Sequence, residues 1–241
     1  MKMTEEQINL TQRRLRTPRA AALSGIVFAL LQIVSLVLIR FSIPESPIDS
    51  GKWLEEYAGR ITFAIGLVPF AGIAFLWFLG VVRDRLGELE DRFFSTVFFG
   101  SGLLFTAMTF VSAAIAGTIL SIYTADPNLL LQSTIYAFSR AFMYQIINTY
   151  GLRMAGVFMM SLGTIWVRTK IMPRPIIFLT YGLALMLLLG LNLSLWFSLV
   201  FPVWVFVISV VILILNFSRK KSQKTDGMTV NKKPDEEIHL D

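Results

Sequence analysis

Apolar residues run along this chain in long unbroken blocks instead of alternating or marking one face of a helix. Six blocks are close to the length of a membrane crossing: 20–39, 61–82, 93–121, 146–167, 175–191 and 195–217. A helix rising about 1.5 Å per residue needs roughly 20 residues to cross about 30 Å of hydrocarbon. The pattern therefore predicts an all-α fold, a polytopic transmembrane bundle of six helices. The third block is longer than a crossing requires, so its helix should tilt or project. Only "LNLS", around Asn192, separates the last two, which predicts a tight turn. The first block has a long apolar core, and the "RFSIP" after it lacks a small-x-small cleavage site, so it is expected to remain as a helix.

Composition supports the same class. The 20 phenylalanines outnumber the 16 acidic residues, and mean hydropathy is +0.65, too apolar for one soluble core. No cysteine is present, which removes disulfides and thiolate metal ligands. A net charge of +6 in a soluble chain would suggest nucleic acid, but the cations here flank the apolar blocks, so no nucleic-acid partner is expected. One side of the bundle carries 17 Lys and Arg, and the other only Arg40, Lys52, Arg60 and Arg140. By the positive-inside bias both termini are cytoplasmic, in a plasma membrane. Trp77 and Trp166 then fall near the inner boundary, and Trp53, Tyr57, Tyr123 and Trp196 near the outer one, as interfacial belts do.

The chain divides into a segment 1–19, a membrane domain 20–217 and a tail 218–241. The first carries Ile8, Leu10 and Leu15 against a basic face, which predicts a short interfacial helix. The tail, basic and then acidic, is expected to be disordered. Both basic termini should meet anionic lipid headgroups. In the first outer loop Asp49 or Ser50 is placed to cap a short helix, with Trp53, Leu54 and Tyr57 toward the membrane and Glu55 and Glu56 toward water. After the third block, Asp126 as cap and Pro127 in the first position start another helix, which either lies along the outer face or runs on into the fourth crossing.

Gly80, Asp84, Arg85 and Gly87 spell G-x-x-x-D-R-x-G in the loop between the second and third blocks. In spacing and place this resembles the signature loop of major facilitator transporters, and the resemblance implies an Asp–Arg latch. The acidic continuation Glu88, Glu90 and Asp91 departs from that family, and six crossings are half its number. Helix dipoles explain the same charges: Arg83 and Arg85 suit a helix C-terminus, Gly87 a left-handed position after it, and the acids the next N-terminus. We take the loop as structural. The wider run 67–105 also resembles a group of bacterial multi-pass membrane proteins that carry no assigned activity, which implies a six-helix body and transfers no site.

Enzyme chemistry is tested by subtraction. No block contains Asp, Glu, His or Cys, the one histidine is His239, and no Walker loop is present. That leaves no recognisable catalytic, cofactor or metal constellation. Rows of small residues, Gly102 with Thr106, Thr109 with Ala113 and Gly117, and Gly151 with Ala155, predict close helix packing within the bundle ahead of homodimerisation. Pro69 and Pro202 inside blocks predict kinks. Arg153 is the one cation inside a block, about 8 to 10 Å from the outer boundary. Glu55, Glu56 and Asp126 are its candidate partners, giving either an ion pair that ties the outer loops down or a site for an anion. The reading that follows is a non-catalytic membrane component that binds protein partners or lipids. The alternative is a small permease, for an anion if Arg153 is the site.

Overall fold

The computed structural model describes residues 5–44, 51–86, 92–131, 134–189 and 195–230, the side chains of 5–19, 52, 85, 86, 92, 195 and 216–230 apart. Among them the chain is helical, with no strand. In order come α1 (Glu5–Ser42), α2 (Lys52–Glu56), α3 (Ala58–Leu86), α4 (Arg92–Ala125), α5 (Pro127–Leu131) and α6 (Thr134–Tyr144). A π-helical segment (Gln145–Gly151) carries α6 directly into α7 (Leu152–Thr169), and α8 (Arg174–Leu189), a 3₁₀ turn (Leu195–Leu199) and α9 (Val200–Val230) follow.

Among the described residues four helices are long and apolar enough to cross a membrane: Ala20–Ser42, Ala58–Asp84, Phe93–Ala125 and Trp196–Leu215. The apolar α8 is shorter, and α7, diluted by Arg153 and Arg168, is not among them. By length and apolarity four of the six expected blocks are thus candidate crossings. The segment before residue 20 is no separate helix, because α1 runs unbroken from Glu5, and α9 continues past the expected boundary at 217 to Val230.

Side-chain contacts set the register. Ser35 donates a hydrogen bond to the Ala64 carbonyl at 2.8 Å, while Phe28 meets Phe75 at 4.5 Å between ring centroids, so α1 and α3 are antiparallel. Phe75–Phe105, Phe98–Phe158 and Phe28–Phe201 set α4 against α3, α7 against α4 and α9 against α1 in the same way. Because of this register Phe28, Phe75, Phe105, Phe158 and Phe201 meet at one level. Phe75 is their hub, with centroids of Phe158 and Phe201 both at 5.6 Å. Edge-on contacts of this kind add roughly 0.5–1.5 kcal/mol per pair beyond area burial.

The helices approach closely where side chains are small. A methyl on Gly25 would strike Phe78 and the Ser209 hydroxyl, one on Gly102 would strike Leu79 and Phe158, and one on Gly156 would strike Leu188 and the Ala184 carbonyl. Thr106 and Thr109 satisfy their hydroxyls within their own helix, donating to the Gly102 and Phe105 carbonyls, both at 2.9 Å, whereas the buried Ser42 and Ser209 hydroxyls meet no partner among the described residues. Gly117 of the expected small-residue row faces open space. Pro202 falls in the first turn of α9, where its missing N–H has no intrahelical partner to lose.

A second cluster closes one end of the bundle, where Trp53, Leu54, Ile61, Ile119, Leu130 and Tyr136 pack together. Trp53 and Leu54 are thus buried in protein, not turned to the membrane as α2 was expected to turn them, while Glu55 and Glu56 are exposed as expected. The residue before α2 is Gly51, at φ 70 against the Leu131 side chain, where only glycine fits. Asp49 and Ser50 lie outside the described residues. Asp126 caps α5, its Oδ1 accepting from the Asn128 and Leu129 N–H at 3.0 and 3.1 Å. Trp77 is exposed as a belt residue would be, but Trp166 is buried, 6.0 Å from Trp204.

Candidate functional site

Between the aromatic hub and the outer cluster the helices do not fill the space. A cavity of about 110 Å³ lies among α1, α3, α4 and the α6–π junction. Gln32, Ser35, Thr109, Ser112 and Asn148 bring polar groups to it, and Arg40 stands at one end. The walls between are aliphatic, including Leu36, Ile39, Val68 and Ile147. Arg40 and Ile43 also border a wider space of about 530 Å³, lined by Pro44, Trp53, Tyr57 and Trp196. At the other end Gln32 and Thr109 border a void of only about 10 Å³ against Phe28, Phe75 and Phe105. The cavity therefore adjoins a vestibule on the Arg40 side and ends blindly on the aromatic hub.

The π segment shapes one wall. A π turn widens the helix by one residue, leaving carbonyls out of ladder register, and such turns concentrate at functional sites. Ser112 of α4 donates to the Met143 carbonyl at 3.3 Å, and Asn148 Nδ2 turns back to the Tyr144 carbonyl at 3.1 Å. Both carbonyls are thus met without water, and α4 is pinned to the widened stretch. The stretch joins α6 to α7, so of the two arrangements left open for this region, Thr134 onward extends the fourth helix.

Most of the polar groups have their hydrogens committed. Ser35, Thr109 and Ser112 each donate to a backbone carbonyl, which leaves their oxygens as acceptors only. Gln32 is different. It is 4% exposed and lines both the cavity and the void below, and its amide meets no hydrogen-bond partner among the described residues.

Beside the vestibule sits the fully buried Arg140. Its guanidinium lies 5.2 Å from the Trp53 ring centroid, 5.9 Å from Tyr136 and 6.0 Å from Tyr144, and Nη2 donates to the Pro44 carbonyl at 2.8 Å. Tyr144 donates to the same carbonyl, and the Trp53 indole donates to the Tyr136 hydroxyl at 3.0 Å. This α6 segment lies outside the apolar block that begins at 146. Burial pushes the Tyr136 phenol up, against the opposing indole donor, and burial lowers the Arg140 pKa, against the opposing charge and hydrogen bond of Tyr144. The cage was not foreseen from sequence, where Arg140 entered only as a surface charge. Its signal was present in the spacing: Tyr136, Arg140 and Tyr144 stand four apart and so share one helix face.

The expected site residues are not brought together. Half-buried Arg153 donates from Nη1 to the Thr149 carbonyl at 2.6 Å, one turn back in the π segment. Among the described residues no ion pair joins it to Glu55, Glu56 or Asp126; the two glutamates face out and Asp126 is occupied as a cap. In the loop that resembles a transporter signature, Gly80 and Asp84 are exposed, while Gly87 and the acids after it lie outside the described residues, as does the Arg85 side chain. The neighbouring Arg83 stacks on Phe99 and Arg168 on Phe94, each with its guanidinium 4.6 Å from the ring centroid. No group of acidic, histidine or cysteine residues able to hold a metal occurs among the described residues. Comparison with protein-family models, with curated proteins and with solved structures finds no match.

Proposed function

We propose that the chain is a six-crossing protein of a bacterial plasma membrane, with both termini cytoplasmic, that serves as a non-catalytic component binding lipids and protein partners. The observation that favours this reading over a permease is the aromatic hub. Five phenylalanines from five helices touch ring to ring where a permease would require a polar path. Large apolar side chains turned outward support the membrane setting: Phe63, Phe70, Trp77 and Phe178 are each at least 60% exposed. The antiparallel register supports the even number of crossings, since it brings the N-terminal part of α1 and the C-terminal part of α9 to one end. The excess of basic residues at that end supports a cytoplasmic assignment. The basic tails are the surfaces for anionic lipid.

The chain has no cysteine, so single cysteines report topology without background. Cysteines at Ser46 and Gln132 should react with an impermeant maleimide in intact cells, and one at Ser222 only after lysis. Labelling of Ser222 from outside sinks the topology.

One observation favours the alternative, a small-solute permease: the polar cavity above the hub. Uptake of a solute panel, in cells with and without the chain, separates the two readings. Reproducible uptake that depends on the chain overturns the non-catalytic component.

A further inference from the structure

The buried Gln32 amide faces a cavity in which Ser35, Thr109 and Ser112 have already committed their hydroxyl hydrogens. We propose that this cavity is a binding site for a small uncharged molecule with a short aliphatic body and N–H or O–H donors, of the primary-amide class, held at its inner end by Gln32.

The hydrogen-bond inventory determines the class. Ser35, Thr109 and Ser112 present acceptor oxygens, and Asn148 uses one of its two Nδ2 hydrogens on the Tyr144 carbonyl, so around Gln32, away from Arg40 at the mouth, the walls offer more acceptors than donors. A bound molecule must therefore bring donors. Gln32 offers an NH₂ and a carbonyl side by side, and a primary amide can pair with both at once. An unmet amide in an apolar bundle is costly, so the site favours whatever satisfies it.

Charge narrows the class further. Among the described residues no carboxylate lines the cavity, so a cation meets no counter-charge inside. An anion that reached Gln32, eight residues or about 12 Å along α1 from Arg40, would lose its water with no cation beside it. A neutral donor crosses that distance without such a loss. The volume of about 110 Å³ suits a body of about six heavy atoms, and Leu36, Ile39, Val68 and Ile147 give it an apolar sleeve. Entry is from the vestibule side, past Arg40 and Ile43; the aromatic hub blocks the other end.

Butyramide, 2-pentanone and butyrate share shape and differ in one group, so they test each part of the proposal. Their binding to the full chain in lipid nanodiscs, with empty nanodiscs as the partition control, can be followed by saturation-transfer NMR. Butyramide should bind saturably with a Kd of about 1 mM, the range open to so few atoms. The ketone, which lacks donors, and butyrate, which is charged, should each bind at least about tenfold more weakly. Gln32→Leu should weaken butyramide about tenfold, and Ala113→Leu, which puts a side chain into the cavity, should abolish binding whether or not Gln32→Leu folds. Ketone bound as tightly as amide overturns the donor requirement, and butyrate bound as tightly overturns the uncharged class. Absence of saturable butyramide binding, or binding that survives Ala113→Leu, overturns the site and leaves a water-filled cavity.

Discussion

Arg140 and Pro44 stand 96 positions apart in sequence and are joined by a 2.8 Å hydrogen bond from the guanidinium to the proline carbonyl. Through that bond and the rings around it, α6 holds the chain that leaves α1 and the start of α2. A buried cation is ordinarily a liability, but three aromatic faces and a carbonyl replace much of its lost hydration. Arg140→Ala should therefore lower stability by about 2–4 kcal/mol, combining a charged hydrogen bond with a desolvated stacking contact. Arg140→Lys should recover less than half of that, since an ammonium has neither the planar stack nor the fork. Thermal unfolding in one detergent checks both, and a lysine variant as stable as wild type removes the cage from the account.

The Tyr136 phenol gives the same cluster a pH dependence. Burial raises its folded-state pKa above the ordinary value of 10. The neutral form is thus favoured on folding, and this contribution to stability is fully present below pH 10 and is lost as the pH rises through the raised pKa. Melting temperature should fall more steeply as the pH rises above about 10 in wild type than in Tyr136→Phe. Parallel curves would show that the phenol does not titrate with unfolding.

Phe75 touches rings from α1, α4, α7 and α9, so truncation there affects the whole bundle. Phe75→Ala should cost about 3–5 kcal/mol, and Phe75→Leu clearly less, because it leaves a smaller void. The exposed Phe63 is the control, and its alanine variant should stay within about 0.5 kcal/mol. A Phe75→Ala protein as stable as Phe63→Ala would mean the hub is not the core.

Arg153 should behave as a local residue of the π segment. It donates to Thr149 within its own helix, so Arg153→Gln should cost no more than about 1.5–3 kcal/mol, the range for a charged hydrogen bond. Double-mutant cycles with Glu55→Gln, Glu56→Gln and Asp126→Asn should be additive within about 0.5 kcal/mol. A coupling above about 1 kcal/mol in any of them would revive the ion pair expected from sequence.

Features set by neighbours along the chain were legible in the sequence. The apolar blocks marked helices, the Asp126–Pro127 start is a cap followed by a first-turn proline, and Glu55 and Glu56 take the wet face of α2, because each depends on residues within a turn or two. Where the pattern was ambiguous it failed predictably. Trp53 and Trp166 read as belt residues, since an indole at a membrane boundary and an indole in a core look alike until the neighbouring helices are in place.

By itself the sequence determined the helical class, the length and apolarity of the main helices, the asymmetry of basic residues and the local caps. The tertiary structure alone decided which arginine is buried, where the π segment lies and which polar groups share a cavity. Gln32, Thr109 and Asn148 are far apart in the chain and meet only through the antiparallel register of α1, α4 and the α6–π junction. Whether an amide is satisfied or orphaned depends on the atoms that register brings within about 3 Å of it, and no window of sequence contains them.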